Sequence, residues 1–298
     1  MNILRFAAID VGSNAIRLLI SNVVETNPPE FIKASIIRLP VRLGDDTFVN
    51  QWISDEKIRQ LILSFKSFKN IMQVYKVINY KACATSAMRE AKNSAEVVSR
   101  LKEETGIYTE IISGRKEAEI IYLNHITSIS GQTKPYLYVD VGGGSTEIIL
   151  FSGNEIKLSE SFNIGTVRML NKSIPEGEID RLTGWSKRYS ELYHETEIIA
   201  SGGNINRIFK LSGLKESKPL TISQLNNFYK ILQNMSYEER ILNYRLNPDR
   251  ADVIVYAAFI FLNVMKHAKI HKLYVPKVGL SDGIIRQLYS EYMDNQSL

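Results

Sequence analysis

Phe6-Ala7-Ala8-Ile9-Asp10-Val11-Gly12-Ser13-Asn14, followed by Ile16-Arg17-Leu18-Leu19-Ile20, is answered in the middle of the chain. There the sequence reads Tyr138-Val139-Asp140-Val141-Gly142-Gly143-Gly144-Ser145-Thr146-Glu147, followed by Ile148-Ile149-Leu150. Each copy is an apolar run ending in Asp-Val-Gly, a turn of small residues with a hydroxyl, and a second apolar run. The runs read as short buried strands and the turns as hairpin loops. Glycine lets backbone N–H groups come close to a ligand, and loops of this kind cradle phosphate oxygens. An aspartate beside each loop can hold a divalent cation directly or through water. The repeat predicts two similar domains, with the two loops gripping a phosphate chain across a shared cleft.

Composition agrees with a globular enzyme. The 298 residues suffice for about two domains. Apolar content is 44% and charged content 23%, both ordinary. The net charge of +5 favours an anionic partner without choosing one. Cys83 is the only cysteine, which excludes an intrachain disulfide and a cysteine-based zinc site. The longest apolar run, Val253 to Leu262, is too short to span a membrane and reads as a buried helix. No charged start with a long apolar stretch marks a signal peptide, so a cytoplasmic location is the expectation. No aromatic and basic stripe suggests a nucleic-acid platform.

Strands are expected at Phe6–Asp10, Ile16–Val24 and Glu30–Leu39. A helix capped by Ser54 runs to about Tyr75, and a strand follows over Val77–Ala84. A short helix opens near Ser86, and another, capped by Asn93 or Ser94, ends at Gly106. After a strand at Tyr108–Ile112, Ser113 caps a helix through about Ile126. The second half repeats the three-strand start over Tyr136–Asp140, Thr146–Phe151 and Glu155–Phe162. Helices are expected at Thr166–Asn171, Glu176–Tyr193, Asn204–Leu211, Ser223–Met235 and Asp249–Ala268. A strand at Lys272–Val275 and a helix at Leu280–Tyr292 complete the pattern. This mixture defines an α/β protein. The expected domains are 1–125 and 126–283, with the last helix, about 284–298, returning to the first.

The chain resembles the exopolyphosphatase / guanosine pentaphosphate phosphohydrolase (Ppx/GppA) family over essentially its whole length. The resemblance is carried by both loops and by Val41-Arg42-Leu43-Gly44. It is carried also by Ala84-Thr85-Ser86-Ala87-x-Arg89-x-Ala91-x-Asn93, Ile112-Ser113-Gly114-x-x-Glu117-Ala118, Gly165-x-Val167-Arg168, Ser201-Gly202-Gly203 and Gly279-Leu280-Ser281-Asp282-Gly283. It implies two actin-like domains of the ribonuclease H-like, sugar-kinase and heat-shock ATPase superfamily, facing an interdomain cleft. It further implies removal of terminal orthophosphate from inorganic polyphosphate. The alternative is 5′-phosphate hydrolysis of guanosine pentaphosphate.

The resemblance assigns roles residue by residue. Glu117 is the implied general base, although a first-turn glutamate also simply complements a helix dipole. Glu147 is implied to orient the water or a metal. Asp10 and Asp140, with Glu147, are the expected holders of Mg²⁺ or another divalent cation, which keeps several waters and takes few carboxylates. Phosphate contacts are expected from Gly12, Ser13 and Asn14, from Gly142, Gly143, Gly144, Ser145 and Thr146, and from Arg89, whose fork suits phosphate oxygens. Arg17, Arg42, Arg168, Gly202 and Gly203 are secondary candidates. Arg17, inside an apolar strand, can instead pair with a carboxylate. Lys33, Arg38, Arg115, Lys116 and Lys277 are candidates for an approach path, with solvated surface charge as the plainer reading. His125, His194, His267 and His271 read as ordinary, and Cys83 as core. A homodimer is expected from the resemblance. Family members often carry an arginine where this chain has Glu119, and a small residue or proline at Tyr256-Ala257. Both departures bear on substrate range.

Two further readings compete. Ser201-Gly202-Gly203-Asn204 resembles the adenosine-binding loop of superfamily kinases and ATPases. A binding module that senses a phosphate-rich nucleotide without turnover is the other.

Overall fold

The structure, a computed structural model, describes residues 3–122, 124, 135–153, 155–193, 196–276 and 278–296. The chain divides into two units, the first comprising residues 1–130 and 278–298 and the second residues 131–277. The boundary expected near residue 125 lies outside the described residues, as does the end of the helix expected to reach Ile126.

In the first unit, β1 (Ile3–Val11), β2 (Ile16–Val24) and β3 (Glu30–Leu39) form an antiparallel meander. β4 (Asn79–Ala84) and β5 (Thr109–Ile111) extend it in parallel, giving the order β3-β2-β1-β4-β5. Phe6 to Val11 are buried without alternation, as befits a central strand covered on both faces. Five helices are described between the strands: α1 (Leu43–Asn50), α2 (Asp55–Val74), α3 (Ser86–Glu90), α4 (Ser94–Thr105) and α5 (Gly114–Tyr122).

The second unit repeats this plan. β6 (Tyr136–Val141), β7 (Thr146–Ser152) and β8 (Glu155–Phe162) are antiparallel. β9 (Glu197–Ser201) and β11 (Lys272–Tyr274) add in parallel, and β10 (Leu220–Thr221) closes the edge, in the order β10-β11-β9-β6-β7-β8. The repeat extends to irregularities. A break in pairing register follows Ile20 in the first sheet and Leu150 in the second, each ten residues beyond its loop aspartate.

The helices of the second unit are α6 (Thr166–Leu170), α7 (Glu178–Leu192), α8 (Gly203–Leu211), α9 (Ile222–Asn234), α10 (Tyr237–Tyr244), α11 (Pro248–Ala251) and α12 (Ile254–His267). α12 is apolar on most of its circumference and packs against α7, α8, α9 and β6 at the centre of the core. The final helix, α13 (Leu280–Gln296), belongs to the first unit and lies on β1, β2, β4 and α5. Gly283 allows this packing, because a Cβ there would stand 2.1 Å from the carbonyl oxygen of Ile120.

Several elements differ from the expectation. The helix expected over Asp249–Ala268 is two helices. Arg240 donates to the carbonyl of Ala251 at 2.9 Å, taking an acceptor that a continuous helix would use internally. α1, α10, β9 and β10 were not expected. β9 has only three apolar residues, and α1 begins Leu-Gly-Asp-Asp, a poor helical composition whose early acidic residues nonetheless suit a helix start. Ser54 caps α2 by accepting from Lys57 N, and Gly106 ends α4 at φ 75°. Asn93, at the N-cap of α4, makes no capping bond. Its side chain instead bonds both backbone groups of Ile53, at 3.0 and 2.8 Å.

Candidate active site

The loop after β1 is closed by Gly12 N donating to Ala15 O at 3.2 Å, and the loop after β6 by Gly142 N donating to Ser145 O at 3.0 Å. Each loop is also tied from outside by the residues that open a later helix. In the first unit, Arg42 N donates to Asn14 O and Gly44 N to Ser13 O, at 3.2 and 2.8 Å. In the second, Thr166 N donates to Gly142 O at 3.0 Å. Val167 N and Arg168 N both donate to Gly143 O, at 2.8 and 3.1 Å. The buried Arg168 side chain adds a bond from Nε to Gly144 O at 2.8 Å. Gly165 permits this approach, since a Cβ there would lie 2.4 Å from the Gly143 and Gly144 backbone.

The register places unlike groups opposite the two aspartates. Asp10 faces Arg17 across β1 and β2, and Arg17 Nη1 donates to Asp10 Oδ2 at 2.8 Å. Asp140 faces Glu147 across β6 and β7. Paired residues of neighbouring strands share a face of the sheet, and two carboxylates so placed repel unless a cation or protons relieve them. Glu147 is buried and accepts from Ser145 Oγ at 2.6 Å and Ser161 Oγ at 3.3 Å, partners that fix the carboxylate. Gly202, at φ 122°, stands beside Asp140. A Cβ there would be 2.7 Å from Val141 O and 3.5 Å from Asp140 Oδ1. Among the described residues, no group of three or more His, Cys, Asp or Glu gathers as a metal cage. The Asp140 and Glu147 pair fits a cation that takes one or two protein carboxylates and completes its shell with water and phosphate oxygens.

Glu117 lies in the first turn of α5, buried, where the helix dipole favours its negative charge. Ser113 Oγ accepts from Lys116 N at 3.1 Å at the start of this helix. Arg89, in α3, donates through Nη1 to Glu117 Oε2 and to Ile112 O, both at 3.0 Å. A guanidinium and a carboxylate from two separate family segments thus meet in one ion pair.

Other candidates occupy plainer positions. The Thr146 hydroxyl donates to Ile164 O at 2.6 Å, inside the fold. Arg42 pairs with Asp45 at 2.7 Å. Lys33 pairs with Asp282, and Arg115 and Lys116 with Glu119. Arg38 lies across from Arg17 on β3. Gly203 opens α8. His267 ends α12, its imidazole pushed below the usual value by burial and by Lys187 and Lys266, and His271 is exposed. His125, His194 and Lys277 lie outside the described residues. Cys83 is fully buried in β4, and burial pushes its thiol up to about 12. The Ser161 contact and the Gly165 brace were not anticipated. The family segment at Gly165-x-Val167-Arg168 was a signal for the brace, and no motif marks Ser161.

The sheet order and the duplicated hairpin loops define a two-unit α/β protein of actin-like fold. A sequence model of the Ppx/GppA phosphatase family matches residues 35–291, and the chain belongs to that family. It is similar to a bifunctional 3-dehydroquinate synthase/phosphatase of Fusobacterium nucleatum, 36% identical over 176 residues. That match covers 57% of this chain and 26% of the relative. It is 25% identical to exopolyphosphatase 1 of Mycobacterium tuberculosis, over 97% of this chain and 89% of the relative. It is 26% identical to a guanosine-5′-triphosphate,3′-diphosphate pyrophosphatase of Photobacterium profundum, over 96% of this chain and 59% of that protein. Among solved structures, the Aquifex aeolicus Ppx/GppA family member superposes with a TM-score of 0.78 at 26% identity, covering 98% of this chain and 99% of that one. Among the described residues, no helix is long and apolar enough to cross a membrane.

Proposed function

We propose that the chain is an exopolyphosphatase, releasing orthophosphate from the end of inorganic polyphosphate by attack of a water that Glu117 deprotonates. The observation that carries this reading is the Arg89–Glu117 pair. A guanidinium suited to two phosphate oxygens stands beside a buried carboxylate in the first turn of a helix. A phosphate drawn to Arg89 arrives where Glu117 can receive a proton from water.

The water oxygen forms the new bond to the terminal phosphorus while the phosphoanhydride P–O bond breaks. Its electron pair leaves on the shortened chain, and the water proton passes to Glu117. Positioning and charge neutralisation dominate such a reaction. In the first unit, Arg89 and the backbone N–H groups of the loop after β1 are the groups suited to phosphate oxygens, and in the second unit the N–H groups of the loop after β6 are. Ser145 and Ser161 hold the Glu147 carboxylate in one orientation. Asp140 and Glu147 are the residues that would hold Mg²⁺, which neutralises developing charge and aligns phosphate oxygens when bound. Asp10 instead orients Arg17.

Guanosine pentaphosphate is the second reading, supported by the 26% identity to the Photobacterium protein over 96% of this chain. The experiment is orthophosphate release with Mg²⁺ from long-chain polyphosphate, guanosine pentaphosphate and ATP in parallel. Release from polyphosphate at the highest kcat/KM is expected. Release only from the guanosine nucleotide replaces the substrate and keeps the chemistry. ATP turnover alone favours the superfamily ATPase reading, and binding without release favours a sensor.

A further inference from the structure

We infer that Arg168 is a positioning residue of the second glycine loop, which it aims at a phosphate without touching the phosphate itself. The inference rests on the reading of that loop as phosphate-binding.

In a planar trans peptide, the C=O of one residue and the N–H of the next point in opposite directions. The carbonyls of Gly142, Gly143 and Gly144 are all captured from one side, by Thr166 N, by Val167 N with Arg168 N, and by Arg168 Nε. The N–H groups of Gly143, Gly144 and Ser145 are therefore turned away from that side together. Successive N–H groups turned one way form an anion-binding concavity. The third carbonyl is held by a side chain, that of Arg168, which is 4% exposed. Gly165 completes the brace by letting its backbone lie directly on the loop. The first unit ties its loop in the same way, with Arg42 N and Gly44 N taking the carbonyls of Asn14 and Ser13. The second loop has a third glycine where the first has Asn14, and a more pliant backbone needs the additional tether.

The test is amide NMR of the wild type, Arg168→Met and Arg168→Lys, with imidodiphosphate and Mg²⁺ as a non-hydrolysable probe. In the wild type, the probe is expected to shift the Gly143, Gly144 and Ser145 amides. In Arg168→Met, the Gly144 and Ser145 amides are expected to move before any anion is added. Probe affinity should fall about tenfold, the size of effect expected for one charge-assisted hydrogen bond. Arg168→Lys keeps the buried charge without Nε, so it serves if the Met variant does not fold, and an intermediate loss is expected. Loss of affinity with anion-free amides unchanged would make Arg168 a direct phosphate ligand and overturn the positioning role. Wild-type amides and affinity in both variants would also overturn it. A wild type whose loop amides ignore the probe would overturn the phosphate-loop reading, and the inference would fall with it.

Discussion

Arg89 Nη1 stands 3.0 Å from Glu117 Oε2 and 3.0 Å from the carbonyl oxygen of Ile112, so one guanidinium ties α3 to both the entry and the first turn of α5. A phosphate arriving at Arg89 competes for a group already oriented by its protein partners, which keeps the ordering cost of binding low. Arg89→Met is expected to raise KM for polyphosphate about tenfold or more, with a smaller loss in kcat. Arg89→Lys should recover only part of this, because an ammonium lacks the planar fork. Steady-state kinetics on the three proteins checks both statements.

The two loop aspartates should respond differently to substitution. Asp140→Asn is expected to raise the Mg²⁺ concentration for half-maximal activity by about tenfold or more, since it removes half of a facing carboxylate pair. Asp10→Asn should leave that midpoint within about threefold and lower thermal stability instead, because it removes the negative charge that pairs with Arg17. A Mg²⁺ titration of each variant, alongside melting curves, separates the two. Equal displacement of both midpoints would contradict the asymmetry.

Gly202→Ala is expected to be costly although the change is one methyl group. The backbone there sits at φ 122°, and the added Cβ would press on Val141 O at 2.7 Å. Strain of this kind is worth about 1–3 kcal/mol, apart from the clash. The melting temperature should fall by several degrees, and the Mg²⁺ requirement should rise because Asp140 Oδ1 lies next to the new methyl. A melting curve within one degree of the wild type would show that the loop relaxes without strain.

Cys83 gives a pH-dependent prediction. Burial raises its thiol from the ordinary 9.0 to about 12. A raised pKa means that the folded protein holds the proton more tightly than the unfolded chain does. The corresponding stabilisation is complete below about pH 9 and is lost as pH climbs from there through about 12. At pH 8 the folded protein should resist iodoacetamide, and the unfolded protein should be alkylated at once, because the thiolate is the reactive form. Mass spectrometry before and after denaturation reads this directly.

Much of this architecture was legible in the sequence. The two hairpins announce themselves because buried strands flanking a glycine turn leave a pattern that few alternatives produce. The shared seven-residue step from each aspartate to Arg17 or Glu147 is also written in the sequence. Its meaning, an ion pair in one unit and a carboxylate pair in the other, appears only once the register is fixed. The role of Arg168 could not be read, because its target is a backbone carbonyl, and sequence records no carbonyl directions. The break before α12 was hidden for the same reason, since Arg240 reaches it from another helix. Asn93 takes the expected N-cap position but not the expected bond. Its residue type suits a cap, but the chain needed both its polar atoms for Ile53. Pairing decides sheet membership for β9 and β10, which are too short to carry a periodic signal.

Activation of the attacking water by Glu117 carries the proposed reaction. Its most direct test is Glu117→Gln, in which turnover of polyphosphate and binding of polyphosphate are measured on the same preparation. Glutamine preserves size and can still meet Arg89, but it cannot take a proton. In this variant kcat is expected to fall by about 10²–10⁴ while the dissociation constant stays within a few-fold and the melting curve is retained. Turnover near the wild-type rate in a folded Glu117→Gln protein would contradict it.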